Sequence, residues 1–91
     1  MKVTFTDQAA EQLEELADYL ELEWSSKVRD NFLLKIESAV EIIAALPFAY
    51  PASELFPEFR RCVVTPQTSL YYQLQPDEIE IVAILDNRRD L

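Results

Sequence analysis

The chain contains no glycine, no histidine and a single cysteine, Cys62, in its 91 residues. Without histidine there is no imidazole base and no Ser-His or Cys-His pair, and without glycine there is no loop able to cradle a phosphate. A lone cysteine excludes an intramolecular disulfide, and with no histidine beside it nothing has the spacing of a zinc or iron site. We therefore expect neither a metal nor a cofactor. No apolar run approaches the roughly 18 to 20 residues of a membrane span, and the start, MKVTFTDQAAEQ, lacks a basic segment followed by a hydrophobic one. The expected location is the reducing cytoplasm, with no membrane partner.

Positive charge is also scarce. Eight Lys and Arg face seventeen Asp and Glu, a net charge of −9 that repels nucleic acid and anionic lipid, so direct binding to free DNA is not expected. The three lysines, Lys2, Lys27 and Lys35, lie early in the chain. Apart from Arg29, the arginines form two pairs, Arg60-Arg61 and Arg88-Arg89. Apolar residues make up 49% of the sequence and charged residues 27%, the balance of a globular protein. A chain of this length holds one core, so residues 1–91 are expected to form one domain.

Residues 2–5 (KVTF) alternate and are rich in β-formers, which predicts a short opening strand. Thr6 then offers an N-cap, and Ala10, Leu13, Leu16, Ala17, Leu20 and Trp24 trace the stripe of an amphipathic helix from Asp7. On this reading Trp24 anchors the helix end in the core. Ser25 and Ser26 interrupt, and Val28, Phe32, Ile36, Ala39, Val40, Ile43 and Leu46 mark a second helix near 27–46. So short a connection forces an antiparallel hairpin. Pro47 ends it, and PFAYPASELFPE reads as a loop.

Three strands follow, 59–65 (FRRCVVT), 69–75 (SLYYQLQ) and 78–85 (EIEIVAIL), joined at Pro66-Gln67-Thr68 and Pro76-Asp77. The lack of glycine argues against two-residue turns that require positive φ. The expected fold is α+β, with the opening strand at a sheet edge and the helical hairpin packed on one face of a three- to four-stranded antiparallel sheet. Alternation puts Leu70, Tyr72 and Leu74 toward the helices and Tyr71 and Gln73 away from them. In the last strand Ile79, Ile81, Ala83 and Leu85 share one face, leaving Val82 and Ile84 on the open face. An apolar strip there, bordered by Tyr71 and the arginines, reads as a docking surface. Cys62, among valines, reads as a small buried hydrophobe. The polar groups left for chemistry are arginine and tyrosine.

The order and spacing of KVTFTDQAAEQLEELADYLELEW, a second helix ending in AALP, FRRCVV, SLYYQL and IEIVAILDNRRDL resemble the RelE/ParE superfamily of toxins from bacterial type II toxin-antitoxin modules. The closing string is most similar to the ParE branch. The resemblance implies a plasmid-stabilisation toxin that arrests growth and is neutralised by an antitoxin wrapped around it. ParE-like members act on DNA gyrase, whereas RelE-like members cut messenger RNA in the ribosome with lysines, arginines and a tyrosine. Arg61 matches the family's arginine on the first meander strand, and Arg88 the one near the end of the last. No lysine follows Lys35, no C-terminal tyrosine is present, and Pro57-Glu58-Phe59 stands where members commonly carry glycine.

Three readings follow from the resemblance. The first is a non-enzymatic toxin that binds a protein target, with Arg60, Arg61, Arg88 and Arg89 at its binding surface. Tyr71, Val82 and Ile84 would then be covered by antitoxin or by a second copy of the chain in a homodimer. The second is an endoribonuclease with Arg61, Arg88 and Tyr71 or Tyr72 as catalytic candidates. The third is a member that keeps antitoxin binding and has lost toxicity.

Overall fold

The computed structural model describes residues 1–87, so Arg88 and Arg89 lie outside the described residues. Strand β1 (Lys2–Phe5) leads into helix α1 (Asp7–Glu23), and helix α2 (Ser26–Ala45) follows. Strands β2 (Arg60–Thr65), β3 (Thr68–Leu74) and β4 (Glu78–Asp86) complete the chain. Each helix starts where a hydroxyl can satisfy an orphan amide. Thr6 Oγ1 accepts from the Ala9 amide at 3.0 Å, and Ser25 Oγ accepts from the Val28 amide at 3.1 Å. The first helix ends when the Trp24 and Ser25 amides both turn back to the Leu20 carbonyl.

The sheet order is β1-β4-β3-β2, and the expected edge position of β1 is what the structure has. Its pairing with β4 is parallel, so the sheet is mixed, whereas the meander β2-β3-β4 is antiparallel as expected. A parallel pair needs a long connection, and both helices and two strands intervene here.

The helical hairpin covers one sheet face. Phe32, Ile36, Ala39 and Ile43 of α2 form one core with Cys62, Leu70, Tyr72, Ile79, Ile81 and Ile84, and Leu13, Leu16 and Leu20 of α1 pack against it. The buried alanine of the first turn of α1 is Ala9, while Ala10 is exposed. Trp24 is a correction to the sequence reading. It leaves the helix at φ −125°, ψ −82°, out of the register that would continue the stripe, and is 69% exposed.

Two further expectations change. The β2-β3 connection is a two-residue turn, Pro66-Gln67, made with no positive φ among the described residues. Thr65 Oγ1 supports it by accepting from the Gln67 and Thr68 amides, and a register shift between Val63 and Thr65 absorbs the strand mismatch. The second change lies in β4. Tyr71 pairs with Ala83 but Tyr72 pairs with Ile81, so Val82 is an extra residue in a β-bulge. Alternation flips there, and Ile84, opposite Leu70, enters the core at 1% exposed instead of standing on the open face. The bulge falls just beyond the end of β1, where Thr6 Oγ1 donates to the Val82 carbonyl and the Ile84 amide donates to Gln12 Oε1.

Candidate functional site on the open sheet face

Cross-strand partners share a face, so the register assigns the side of the sheet that the helices leave uncovered. Arg61, Tyr71 and Ala83 form one row there, and Val63, Ser69 and Leu85 form the next. Gln73 and Glu80 form a third, their side chains bonded at 2.8 Å. Tyr71 and Gln73 thus stand on the side expected from alternation. Tyr71 is only 3% exposed and is engaged in a contact of its own.

At the centre of this face Arg61 is held by uncharged groups. Its Nε–H donates to Ser69 Oγ at 3.0 Å and its Nη2 to Asn87 Oδ1 at 3.0 Å, and Ser69 Oγ also donates to Asn87 Oδ1. Asn87 is fixed from behind, because its Nδ2 donates to the Pro66 carbonyl at 3.0 Å and its backbone amide to the Gln67 carbonyl. The β2-β3 turn therefore positions Asn87, and Asn87 with Ser69 positions Arg61. Among the described residues, the ion pairs within 4.0 Å all belong to Arg29, with Glu21 and Asp30, so no described carboxylate pairs with Arg61.

Arg60 points the other way. It pairs with Tyr72 on the helix-covered side, donates from Nη1 to the Tyr50 carbonyl, and lies 5.0 Å from the centre of the Phe48 ring in a cation–π contact. It fastens the 46–59 loop and does not share a surface with Arg61. That loop adds to the β2 edge, where the Arg61 amide donates to the Pro51 carbonyl and the Ser53 amide to the Phe59 carbonyl. Tyr72 is fully buried and donates its hydroxyl to the Pro47 carbonyl at 2.7 Å; burial pushes its phenol above the ordinary range. Burial likewise raises the Cys62 thiol, partly offset by its hydrogen bond with Tyr50. Neither group is poised to give up a proton.

The structure thus brings Arg61 and Tyr71 of the sequence candidates together on one face. It places Arg60, Tyr72 and Ile84 on the helix-covered side and leaves Val82 half-buried at the bulge. Ser69 and Asn87 were not singled out by sequence reasoning. The one available signal was the position of Asn87, a turn-favouring residue directly before the second arginine pair. Part of the exposed apolar surface lies in a shallow groove of about 390 Å3 between α2 and β2, lined by Leu34, Ile42, Tyr50 and Val63. Leu34 and Ile42 are 59% and 45% exposed on the α2 side of this groove, and Val63, 55% exposed on the open face at the β2 edge, stands at its rim. Among the described residues no helix is long and apolar enough to cross a membrane, and no cluster of three or more His, Cys, Asp or Glu is placed to hold a metal.

Residues 3–91 match the sequence profile of the family described as ParE toxin of type II toxin-antitoxin system, parDE. No curated protein sequence matches the chain. Among solved structures, the chain is similar to one from the chromosomal ParDE toxin-antitoxin system of P. aeruginosa, with a TM-score of 0.81 and 19% identity over 94% of this chain and 95% of that one. It is similar also to a YoeB/ParE toxin from Agrobacterium tumefaciens (TM-score 0.69, 14% identity, covering 96% and 99%). A third is YafQ from E. coli (TM-score 0.65, 12% identity, covering 96% and 93%). At these identities the structural matches speak for the fold, which is that of the RelE/ParE toxins.

Proposed function

The chain belongs to the ParE toxin family of type II toxin-antitoxin systems, and on that premise we propose that it is a non-enzymatic toxin that arrests growth by gripping a protein target with its open sheet face. DNA gyrase is the target that its ParE character favours. One observation carries the choice of binding over catalysis. The face presents a firmly held guanidinium, while the two tyrosines that could serve a nuclease are 3% and 0% exposed and the chain has no histidine. A cation can hold an anionic side chain without any proton transfer, whereas strand cleavage requires groups that give and take protons.

A cognate antitoxin is the second partner in this reading. The apolar groove between α2 and β2 suits it, because burial of Leu34 and Ile42 supplies the non-directional part of a tight complex. Toxin action and neutralisation then use different surfaces of one cytoplasmic domain.

The test is induction of the chain alone and together with its antitoxin, following growth, plasmid supercoiling and message integrity. Growth arrest with altered supercoiling and intact messages is expected, reversed by the antitoxin. Cleaved messages with unchanged supercoiling would replace this reading with a nuclease, and unimpaired growth with retained antitoxin binding would leave a member without toxicity.

A further inference from the structure

A guanidinium has five N–H donors, and the described contacts of Arg61 engage its Nε–H and its Nη2. Among the described residues nothing accepts from Nη1. Both acceptors are neutral, and Ser69, at 0% exposed, is fixed by its own bond to Asn87. The orientation of the Asn87 amide follows from its surroundings. Its nitrogen end meets the Pro66 carbonyl and its oxygen end meets the Arg61 Nη2, so a flipped amide would lose both bonds. In a chain of net charge −9, an aspartate in this place would accept from the arginine through a stronger, charge-assisted bond, at the loss of the bond to the Pro66 carbonyl. A neutral amide is there instead.

We propose that Asn87 is a positioning residue for Arg61, fixing the guanidinium without cancelling its charge so that the Nη1 edge stays free for an oxyanion of the bound partner. The proposal deepens the target-face reading and rests on it for the identity of the partner as the growth target. The holding of Arg61 by Asn87 stands independently of that reading. A merely structural asparagine would need only to fasten the β2-β3 turn, and its replacement would then leave the arginine side chain undisturbed.

Asn87→Asp and Asn87→Ala, compared with Arg61→Ala, separate these roles. Arginine side-chain NMR of the intact protein reads the position of Arg61, and induced growth arrest reads its use. In the parent, the Arg61 Nε–H is expected to resonate away from the free-arginine position and to exchange slowly with water. Asn87→Ala should return it toward the free position. Asn87→Asp should keep it displaced, keep folding and antitoxin binding, and still weaken growth arrest roughly tenfold or more, because the added carboxylate occupies the charge. An Arg61 signal unchanged by Asn87→Ala would overturn the proposal. So would full toxicity of Asn87→Asp alongside a non-toxic Arg61→Ala. If Arg61→Ala itself arrests growth as the parent does, the target-face reading fails, and the NMR comparison alone decides whether Asn87 holds the arginine.

Discussion

Arg60 and Arg61 are neighbours in sequence and opposites in the structure, and so are the two sheet faces on which they stand. On the helix-covered side, Arg60 spends its donors on the chain itself, on the Tyr50 carbonyl and the Phe48 ring, beside a core of isoleucines. On the open side, Arg61 is held by a serine and an asparagine. Adjacent residues of a strand project to opposite faces, so an arginine pair is one motif in sequence and two devices in space. The helix-covered face holds the core, and the open face is the one proposed for recognition. The division can be attacked from either side.

The largest effect is expected from charge placed on the covered face. Ile81→Lys and Ile84→Lys each bury an unpaired ammonium in the core, at a cost of about 3 to 5 kcal/mol or more, which removes much of the stability of a domain of this size. Val82→Lys, between the two, should cost less than about 1 kcal/mol because that side chain is half-buried at the bulge. Urea denaturation of the three proteins checks the pattern. Retention of the parent midpoint by Ile84→Lys would return Ile84 to the open face and break the comparison.

The same bulge marks where the sequence stopped being legible. Helix starts at Thr6 and Ser25, the edge strand and the three-strand meander could be read because capping residues, periodicity and prolines act locally. The faces of β3 could be read by counting in twos. The faces of β4 could not, since the extra residue at Val82 is dictated by the end of β1 and by Thr6 and Gln12, residues more than 70 positions away. Trp24 failed for a related reason: its spacing from Leu20 is helical only if the helix continues, and the turn into Ser25 stops it. At the site, Arg61 was identified from its family resemblance, whereas Ser69 and Asn87 become its partners only after strand pairing brings them together.

A second pair of variants sharpens the division of labour. Arg60→Ala removes a hydrogen bond and a cation–π contact that hold the 46–59 loop, and should lower stability by about 1 to 2 kcal/mol without reducing the toxicity of the folded protein. Arg61→Ala should change stability by less than about 1 kcal/mol, leave antitoxin affinity near the parent value, and abolish growth arrest. Equal losses of stability and toxicity in both variants would erase the distinction between the faces.

The covered face should also respond to alkali. Burial raises the Cys62 thiol from its ordinary 9.0 and the Tyr50 and Tyr72 phenols from their ordinary 10.0, so the folded state keeps these protons to higher pH than the unfolded chain. Above those ordinary values the unfolded state binds fewer protons, and stability therefore falls as pH rises through that window toward the folded values. Below about pH 8 these three groups contribute no slope. Tyr72→Phe should cost about 1 kcal/mol at neutral pH by leaving the Pro47 carbonyl without its donor, and should make the alkaline decline shallower. A decline of unchanged steepness would remove Tyr72 as a cause.

The smallest effect is expected at the tip of the helical hairpin, which belongs to neither sheet face. Trp24 is a large apolar residue on a sequence stripe that otherwise faces the core, yet it is 69% exposed where α1 ends. Burial, not size, sets the stabilisation a side chain supplies, so Trp24→Ala should cost less than about 0.5 kcal/mol. Phe32→Ala, 6% exposed on the next helix, should cost about 3 to 5 kcal/mol. The lone tryptophan also reports on itself, since its emission in the folded protein should lie near that of indole in water and shift little on unfolding. A strongly blue-shifted native emission, or a destabilisation by Trp24→Ala approaching that of Phe32→Ala, would put the indole back on the stripe and carry the core out to the hairpin tip.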